Sequence, residues 1–282
     1  MPFPKVKDYH KLGQPLVPNA YGIFYALISV CYWFILSFLD IGSKECVALA
    51  ASVLFGSNMG LLDDMIDLRW RYKALLPVFA ALPYMVLKPS DRTAIMLLFF
   101  GIIDFKVLFF LLFVPAMITV ITNTYNQLGG LNGLESMTGL IIMIGLTVAS
   151  QNLVLTIVPI LCLVALSYLS FTGRAFIGNV GTFAIGLTLA VYSVLMNLKL
   201  FLLIAFTPLI VNSLLILFSN YLLRQRAETL QDEKGLLYSH EIRSLRTLIL
   251  HNRHMSERKV VLVICTLVSA STVAALFFPR LT

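Results

Sequence analysis

Long apolar runs separated by short charged segments set the plan of this chain. Eight stretches, 12–39, 46–62, 74–87, 107–134, 136–173, 175–198, 200–223 and 260–279, contain no Asp, Glu, Lys or Arg. An α-helix rises about 1.5 Å per residue, so about 20 apolar residues cross the hydrocarbon core of a bilayer. The run 136–173 is long enough for two such helices and breaks at Ser150-Gln151-Asn152. The pattern therefore predicts about nine transmembrane helices, near 19–39, 45–62, 72–88, 105–122, 134–150, 153–171, 176–196, 200–222 and 260–279. The span at 72–88 is short and needs Lys73 and Lys88 to reach outward from its ends. Residues 91–104, interrupted by Asp91, Arg92 and Asp104, are expected to form an external loop or interfacial segment.

Composition points the same way. Of 282 residues, 59% are hydrophobic and 12% charged, and the mean hydropathy is +0.89. A soluble domain carries charge on roughly a quarter of its residues. The expected fold class is all-α, a polytopic integral membrane protein, since a β-barrel would show short alternating segments. A secreted, fibrous, disordered or nucleic-acid-binding chain is excluded. The first eighteen residues hold Lys5, Lys7, Asp8, His10 and Lys11 without an apolar core, so no cleavable signal peptide is expected. Cys31, Cys46, Cys162 and Cys265 are scattered singly through apolar runs and read as small core residues.

The net charge of +7 becomes informative once it is placed on loops. With the N-terminus in the cytoplasm, the loops at about 1–18, 63–71, 123–133, 172–175 and 223–259 lie on one side. Extended to Lys73, they hold fifteen of the twenty-one Lys and Arg residues, as the positive-inside rule requires. The whole of 1–282 then forms a single transmembrane domain with its C-terminus outside. The active face is expected to be cytoplasmic, at the plasma membrane in a prokaryote or the endoplasmic reticulum in a eukaryote.

Four stretches on that face carry chemistry. In Gly60-Leu-Leu-Asp63-Asp64-Met-Ile-Asp67, three carboxylates close an apolar helix, and adjacent Asp63 and Asp64 point about 100° apart. They are either a solvated helix end balanced by Arg69, Arg71 and Lys73, or hard oxygen ligands for Mg²⁺ beside a diphosphate. Asn123 to Glu135, with three asparagines, three glycines and one acid, fits an irregular loop facing a polar ligand, or an ordinary turn. Gly178-Asn179-Val-Gly181-Thr182 opens the next helix. Its glycines either admit a phosphate to backbone N–H groups or permit close helix packing. The basic loop 223–259 is expected mainly to meet anionic headgroups, through an amphipathic segment near 236–250 lying on the membrane.

Taken in order, these stretches resemble the polyprenyl-phosphate N-acetylhexosamine-1-phosphate transferases, most closely their archaeal and eukaryotic branch. LLDDMIDLRWRYKALLP at Leu61 to Pro77 is similar to that branch's Asp-Asp loop, and NTYNQLGGLNGLES to its Asn-x-x-Asn-x-x-x-Gly-x-Asn-Gly-Leu-Glu stretch. FIGNVGTFAIG looks like its Gly-Asp helix start, and KDYHK with the following prolines like the loop ahead of the family's second helix. The resemblance implies that the family's first helix is absent. It also implies Mg²⁺-dependent transfer of N-acetylhexosamine 1-phosphate, GlcNAc 1-phosphate above all, from a UDP-sugar to a polyprenyl or dolichyl phosphate, with release of UMP. Mn²⁺ is the alternative cofactor.

Carried over residue by residue, Asp63 and Asp64 are the catalytic acids, one of them a general base. Asp64, Asn126 and Asn179 would support the metal. Lys73 would contact phosphate, Asn132 the uracil, Arg224 and Arg226 the acetamido sugar, and Asp8 and Lys11 the substrate. Asn179 stands where the family has an Asp, and Gln225 replaces a His between the two arginines. The other reading left open is a catalytically impaired relative that binds nucleotide sugar, lipid phosphate or a partner protein. A transporter would place ionisable residues at mid-membrane, whereas these sit at the ends of the spans. The expected partners are the UDP-N-acetylhexosamine, the lipid phosphate, membrane lipids and a second copy of the chain in a homodimer, with no nucleic acid.

Overall fold

Among the described residues, each of the eight charge-free runs contains helix. The computed structural model describes residues 3–90, 93–97, 101–220 and 229–278. A hairpin of β1 (Lys5–Lys7) and β2 (Leu16–Pro18) leads into α1 (Gly22–Phe38) and α2 (Ser43–Ile66). Three short helices follow, α3 (Trp70–Leu75), α4 (Pro77–Ala80) and α5 (Leu82–Leu87). A second hairpin, β3 (Ala94–Leu97) with β4 (Gly101–Asp104), precedes a π-helical turn at Phe109–Phe113 that continues as α6 (Val114–Asn126). Then come α7 (Leu134–Ser150), α8 (Ile157–Phe171), α9 (Gly178–Leu195), α10 (Lys199–Ala205) and α11 (Thr207–Phe218). The third hairpin, β5 (Leu230–Gln231) with β6 (Leu237–Tyr238), and α12 (Leu245–Leu250) lead to α13 (Glu257–Leu276).

The expected spans meet these helices with two instructive breaks. The segment expected as one helix over 72–88 is divided into pieces because Pro77 and Pro83 fall in the first turns of α4 and α5. A proline has no N–H to donate and its ring clashes with the carbonyl four residues back. Pro208 does the same between α10 and α11, which bend by 63°. By length and hydropathy, Ser43–Ile66, Phe109–Asn126, Gly178–Leu195 and Glu257–Leu276 can each cross a membrane alone, and the bent α10–α11 pair makes a fifth. Helices α1, α7 and α8 are apolar but shorter. The chain is thus an all-α polytopic integral membrane protein; among the described residues four helices, or five with the bent pair, have the length of a full span, and the shorter apolar helices α1, α7 and α8 stand where three further spans are expected. The break at Ser150-Gln151 falls where expected, with Gln151 in the left-handed region (φ 55°) ending α7.

Helix α9 is the centre of the bundle. Every residue from Val180 to Leu195 is buried, against α1, α2, α6, α7 and α10. Outward-facing Leu111, Leu112, Val148, Leu161, Val164 and Leu214 are exposed, as lipid-facing positions should be. Among the cysteines, Cys46 and Cys265 are buried and Cys162 half-buried, but Cys31 is on the outer surface.

The segment 236–250 is not a continuous surface helix. It folds as a strand and a short helix, with Leu237, Leu245 and Leu250 turned inward and Ile242 and Leu248 outward. Ser244 starts α12 through a capping box with Thr247, which is why the helix begins there. The β5–β6 hairpin ahead of α12 lies against the N-terminal loop, where Gln231 Nε2 donates to His10 O at 3.1 Å.

Candidate active site

The two adjacent acids at the end of α2 serve different neighbours, as their 100° separation dictates. Asp67, at φ 47°, terminates the helix and turns the chain back on itself. That return lets Asp63 Oδ1 accept from Leu68 N at 2.9 Å and pair with Lys73 Nζ at 2.8 Å. Lys73 also reaches Asp67 Oδ1 at 3.1 Å. Asp63 is buried, and its second oxygen, Oδ2, has no hydrogen-bond partner.

Asp64 faces α9 instead. Its Oδ1 accepts from Asn179 N at 2.9 Å and its Oδ2 from Val180 N at 3.0 Å, so the carboxylate sits on the positive end of the central helix. Two glycines make the approach possible. A Cβ at Gly60 would overlap Asn179 O, and Gly178 holds φ +68° with Asp64 Oδ2 close to where its Cβ would be. The backbone N–H groups expected to meet a phosphate are therefore occupied by Asp64, and the glycines serve close packing. Asn19 lines the same cavity as Asp64, and its side-chain amide favours the ionised carboxylate.

The third wall comes from α6, where Asn126 Oδ1 accepts from Thr182 Oγ1 of α9 at 2.5 Å. Asn123 Nδ2 donates to Ala74 O at 2.9 Å and ties α6 to α3. Asp64, Asn126, Asn179 and Thr182 line one cavity of about 430 Å³ with Asp8, His10 and Glu135. A cleft of about 520 Å³ adjoins it through Asn126 and Gln127, and is lined by Trp70, Lys73, Asn123, Ile216 and Leu217.

A second polar node stands behind the cavity wall. Asp8, buried in the N-terminal loop, pairs with Lys11 Nζ at 3.2 Å and accepts from Asn132 Nδ2 at 2.8 Å. Glu257, at the start of α13, accepts from Asn132 N at 2.7 Å and Asn132 Nδ2 at 3.1 Å. Ligand-type atoms of Asp8, His10 and Glu257 lie within 4.8 Å of one another, but both carboxylates are already engaged by Asn132. His10 is held down at about 4, first by burial and then by the Arg246 guanidinium, against the opposing pull of Asp8. Arg246 itself is lowered, chiefly by burial.

The expected site residues thus divide. Asp8, Asp64, Asn126 and Asn179 share the polar cavity of about 430 Å³, and Lys73 lines the adjoining cleft. Asp63, Lys11 and Asn132 stand one layer back, each bonded to a lining residue or to Lys73. Arg224 and Arg226 lie outside the described residues. Sequence reasoning passed over Asn19, Thr182, Arg246 and Glu257 as individual site residues. Of these, only Glu257 carried a usable signal, an acid at the mouth of an apolar run, while the hydroxyl and amide are common in any helix or loop.

The donor chemistry at the cavity fits a hard divalent cation. Asp64, Asn126 and Asn179 contribute oxygen atoms, with no sulfur or imidazole between them, and the orphaned Asp63 Oδ2 adds unspent negative charge at the same helix end.

The chain is similar to known proteins over most of its length. A Saccharolobus solfataricus protein provisionally named UDP-N-acetylglucosamine–dolichyl-phosphate N-acetylglucosaminephosphotransferase is 28% identical over 269 residues, 92% of this chain and 83% of its own length. A Sulfolobus acidocaldarius protein with the same provisional name is 32% identical over 194 residues, 64% of this chain and 59% of its own length. The Dictyostelium discoideum enzyme of that name is 26% identical over 257 residues, 73% of this chain and 63% of its own length. The family model described as glycosyl transferase family 4 matches residues 46–197, which runs from α2 through α9 and takes in Asp63, Asp64, Asn126 and Asn179; the chain belongs to glycosyl transferase family 4.

Proposed function

We propose that the chain transfers N-acetylglucosamine 1-phosphate from UDP-N-acetylglucosamine to a dolichyl or other polyprenyl phosphate at the cytoplasmic membrane face, releasing UMP. Three relatives named for this activity support the donor and acceptor. The observation that carries the reading is the continuity of two cavities. A polar one holds Asp64, Asn126 and Asn179, and it joins at Asn126 a cleft with an apolar wall of Trp70, Ile216 and Leu217. A soluble nucleotide and a lipid phosphate need such a junction.

In the reaction, an oxygen of the lipid phosphate bonds to the β-phosphorus of the donor. The bond from that phosphorus to the bridging oxygen breaks, and UMP leaves with the electron pair. Both substrates are anionic, so cations must lower their repulsion. Lys73, which lines the adjoining cleft, supplies one charge. Mg²⁺, held by Asp64 with Asn126 and Asn179, would neutralise the diphosphate. One carboxylate of the Asp63–Asp64 pair would take a proton from the lipid phosphate when that group is monoprotonated; Asp64 lines the polar cavity, and Asp63 stands behind it, paired with Lys73.

The test is UMP release by the purified chain with UDP-N-acetylglucosamine, a short polyprenyl phosphate and Mg²⁺. Turnover that needs both substrates is expected. A wild type that binds both but does not turn over, and gains turnover as Asn179→Asp, would establish the impaired relative instead.

A further inference from the structure

Gln127 lines the polar cavity, the adjoining cleft and also a smaller pocket of about 170 Å³. That third pocket lies between the end of α6, the α11 helix and the start of α12, and its polar walls are Gln127, Asn212, Arg243, Ser244 and Arg246. Two of these are already spent. Asn212 Nδ2 donates to Gln127 O at 3.3 Å, and its Oδ1 accepts from Leu245 N at 3.0 Å. Ser244 is engaged with Thr247 in the capping box of α12. What remains is rich in donors, since a guanidinium carries five N–H groups and accepts nothing. Of Arg243, only the backbone N–H has a hydrogen-bond partner among the described residues, Thr247 Oγ1 at 2.8 Å. Arg246 gives Nη1 to Gly130 O at 3.4 Å, while its Nε is buried without a partner.

Charge points the same way. The ion pairs among the described residues engage Asp8, Asp63, Asp67 and Asp232, and none reaches Arg243 or Arg246. The two guanidiniums repel one another, and Glu135 and Glu257 attract Arg246 without forming a salt bridge to it. Like charges gathered at a half-buried wall cost stability unless an anion joins them. A volume of about 170 Å³ limits that anion. It is well below the roughly 300–1,000 Å³ of sites that enclose a drug-sized ligand, and it suits a phosphate group rather than a nucleotide. Guanidinium forks match phosphate oxygens in pairs. Ile242, next to Arg243, and Leu217, next to Ile216 of the pocket wall, are exposed apolar side chains, so the phosphate can belong to a lipid headgroup as well as to a free ion. We infer that the pocket between α11 and α12 is a phosphate-group site in which Arg243 and Arg246 clasp the oxyanion beside Gln127. The site is separate from Asp64, Asn126 and Asn179 and from Lys73, and it does not depend on which nucleotide sugar the chain uses. A phosphate held there ties the α12 cap to α11 and to the Gly129 wall.

The experiment titrates the full-length chain with two probes while divalent cations are chelated, so that Asp64 and Glu135 keep the polar cavity unfavourable to anions. Inorganic phosphate is added in detergent at constant ionic strength, and dioleoyl phosphatidic acid is added in mixed micelles against phosphatidylcholine. Bound probe and melting temperature are followed in both arms. Saturable binding of at least one probe, with a rise in melting temperature, is expected. Arg243 is half-buried, and Arg243→Gln should weaken binding about tenfold or more, the worth of the charge-assisted hydrogen bonds of one guanidinium. Arg243→Ala gives the same reading if Arg243→Gln does not fold. Binding of phosphate alone supports the site with a soluble ligand, binding of phosphatidic acid alone supports it with a headgroup, and binding of both supports it for the shared group. Affinity for the bound probe that is unchanged in a folded Arg243 variant overturns the inference, as does the lack of saturable binding of either probe by wild type.

Discussion

The two polar nodes of this protein are built from similar residues and are in opposite states. Around Asp8, Asn132 and Glu257, hydrogen-bond capacity is spent, since each carboxylate and both amide hydrogens of Asn132 have partners within 3.2 Å. Around Asp63, Asp64 and Asn179 it is not. Asp63 keeps a buried oxygen without a partner, and three acids share the single cation Lys73 or the partial charge of one helix end. Buried charge that is not balanced within the protein costs stability unless something else balances it. The saturated node is suited to holding a shape, and the unsaturated one to receiving a cationic partner and doing chemistry.

Several substitutions would sharpen or break that contrast. The largest effect is expected at the unsaturated node, where Asp63→Asn or Asp64→Asn should lower UMP release by about 10³-fold or more. The two should differ in stability. Asp64→Asn also removes the charged cap from α9 and should lower the unfolding free energy by roughly 1–2 kcal/mol. Turnover that survives the double substitution would end the catalytic assignment of the pair. Lys73→Ala comes next, because it strands Asp63, whose side chain is only 1% exposed, without its ion-pair partner. A loss near 3 kcal/mol in denaturant unfolding is expected, and Asp63→Asn in the same chain should recover much of it.

Asn179→Asp adds a charge at a position where the donor is a neutral amide. The Mg²⁺ concentration for half-maximal UMP release should fall about tenfold. An unchanged Mg²⁺ dependence would remove Asn179 from the metal set, and activity indifferent to chelation would remove the metal from the reaction. A further effect, read as stability rather than turnover, belongs to the saturated node. His10 titrates at about 4 in the folded chain against an ordinary 6.5. Between those values the unfolded chain binds the extra proton, so acidification favours unfolding. Melting temperature should decline as pH falls from about 6.5 and stop declining through this group below about 4. His10→Gln should flatten that part of the profile.

Much of this was legible along the chain because hydropathy and helical period are local properties. Apolar runs marked the helices, Ser150-Gln151-Asn152 marked a break, and the 100° step between Asp63 and Asp64 foretold that they would face different neighbours. Pro77 and Pro83 were equally visible, but run length outweighed them in the reading of 72–88, and the structure reversed that weighting. The tightening of Leu237, Leu245 and Leu250 into a cap could not be read from periodicity, since the same leucines suit a membrane-surface helix.

The sequence by itself determined that this is a multi-span helical membrane protein with acids, amides and glycines gathered at the ends of its spans. Only the tertiary structure decided what those groups do to one another. Asp64 meets Asn179 across 115 residues and Asn132 meets Glu257 across 125. Whether a carboxylate is spent on a helix end, paired with a lysine or left with a free buried oxygen depends on such distant contacts, which packing around α9 brings together and no local pattern encodes.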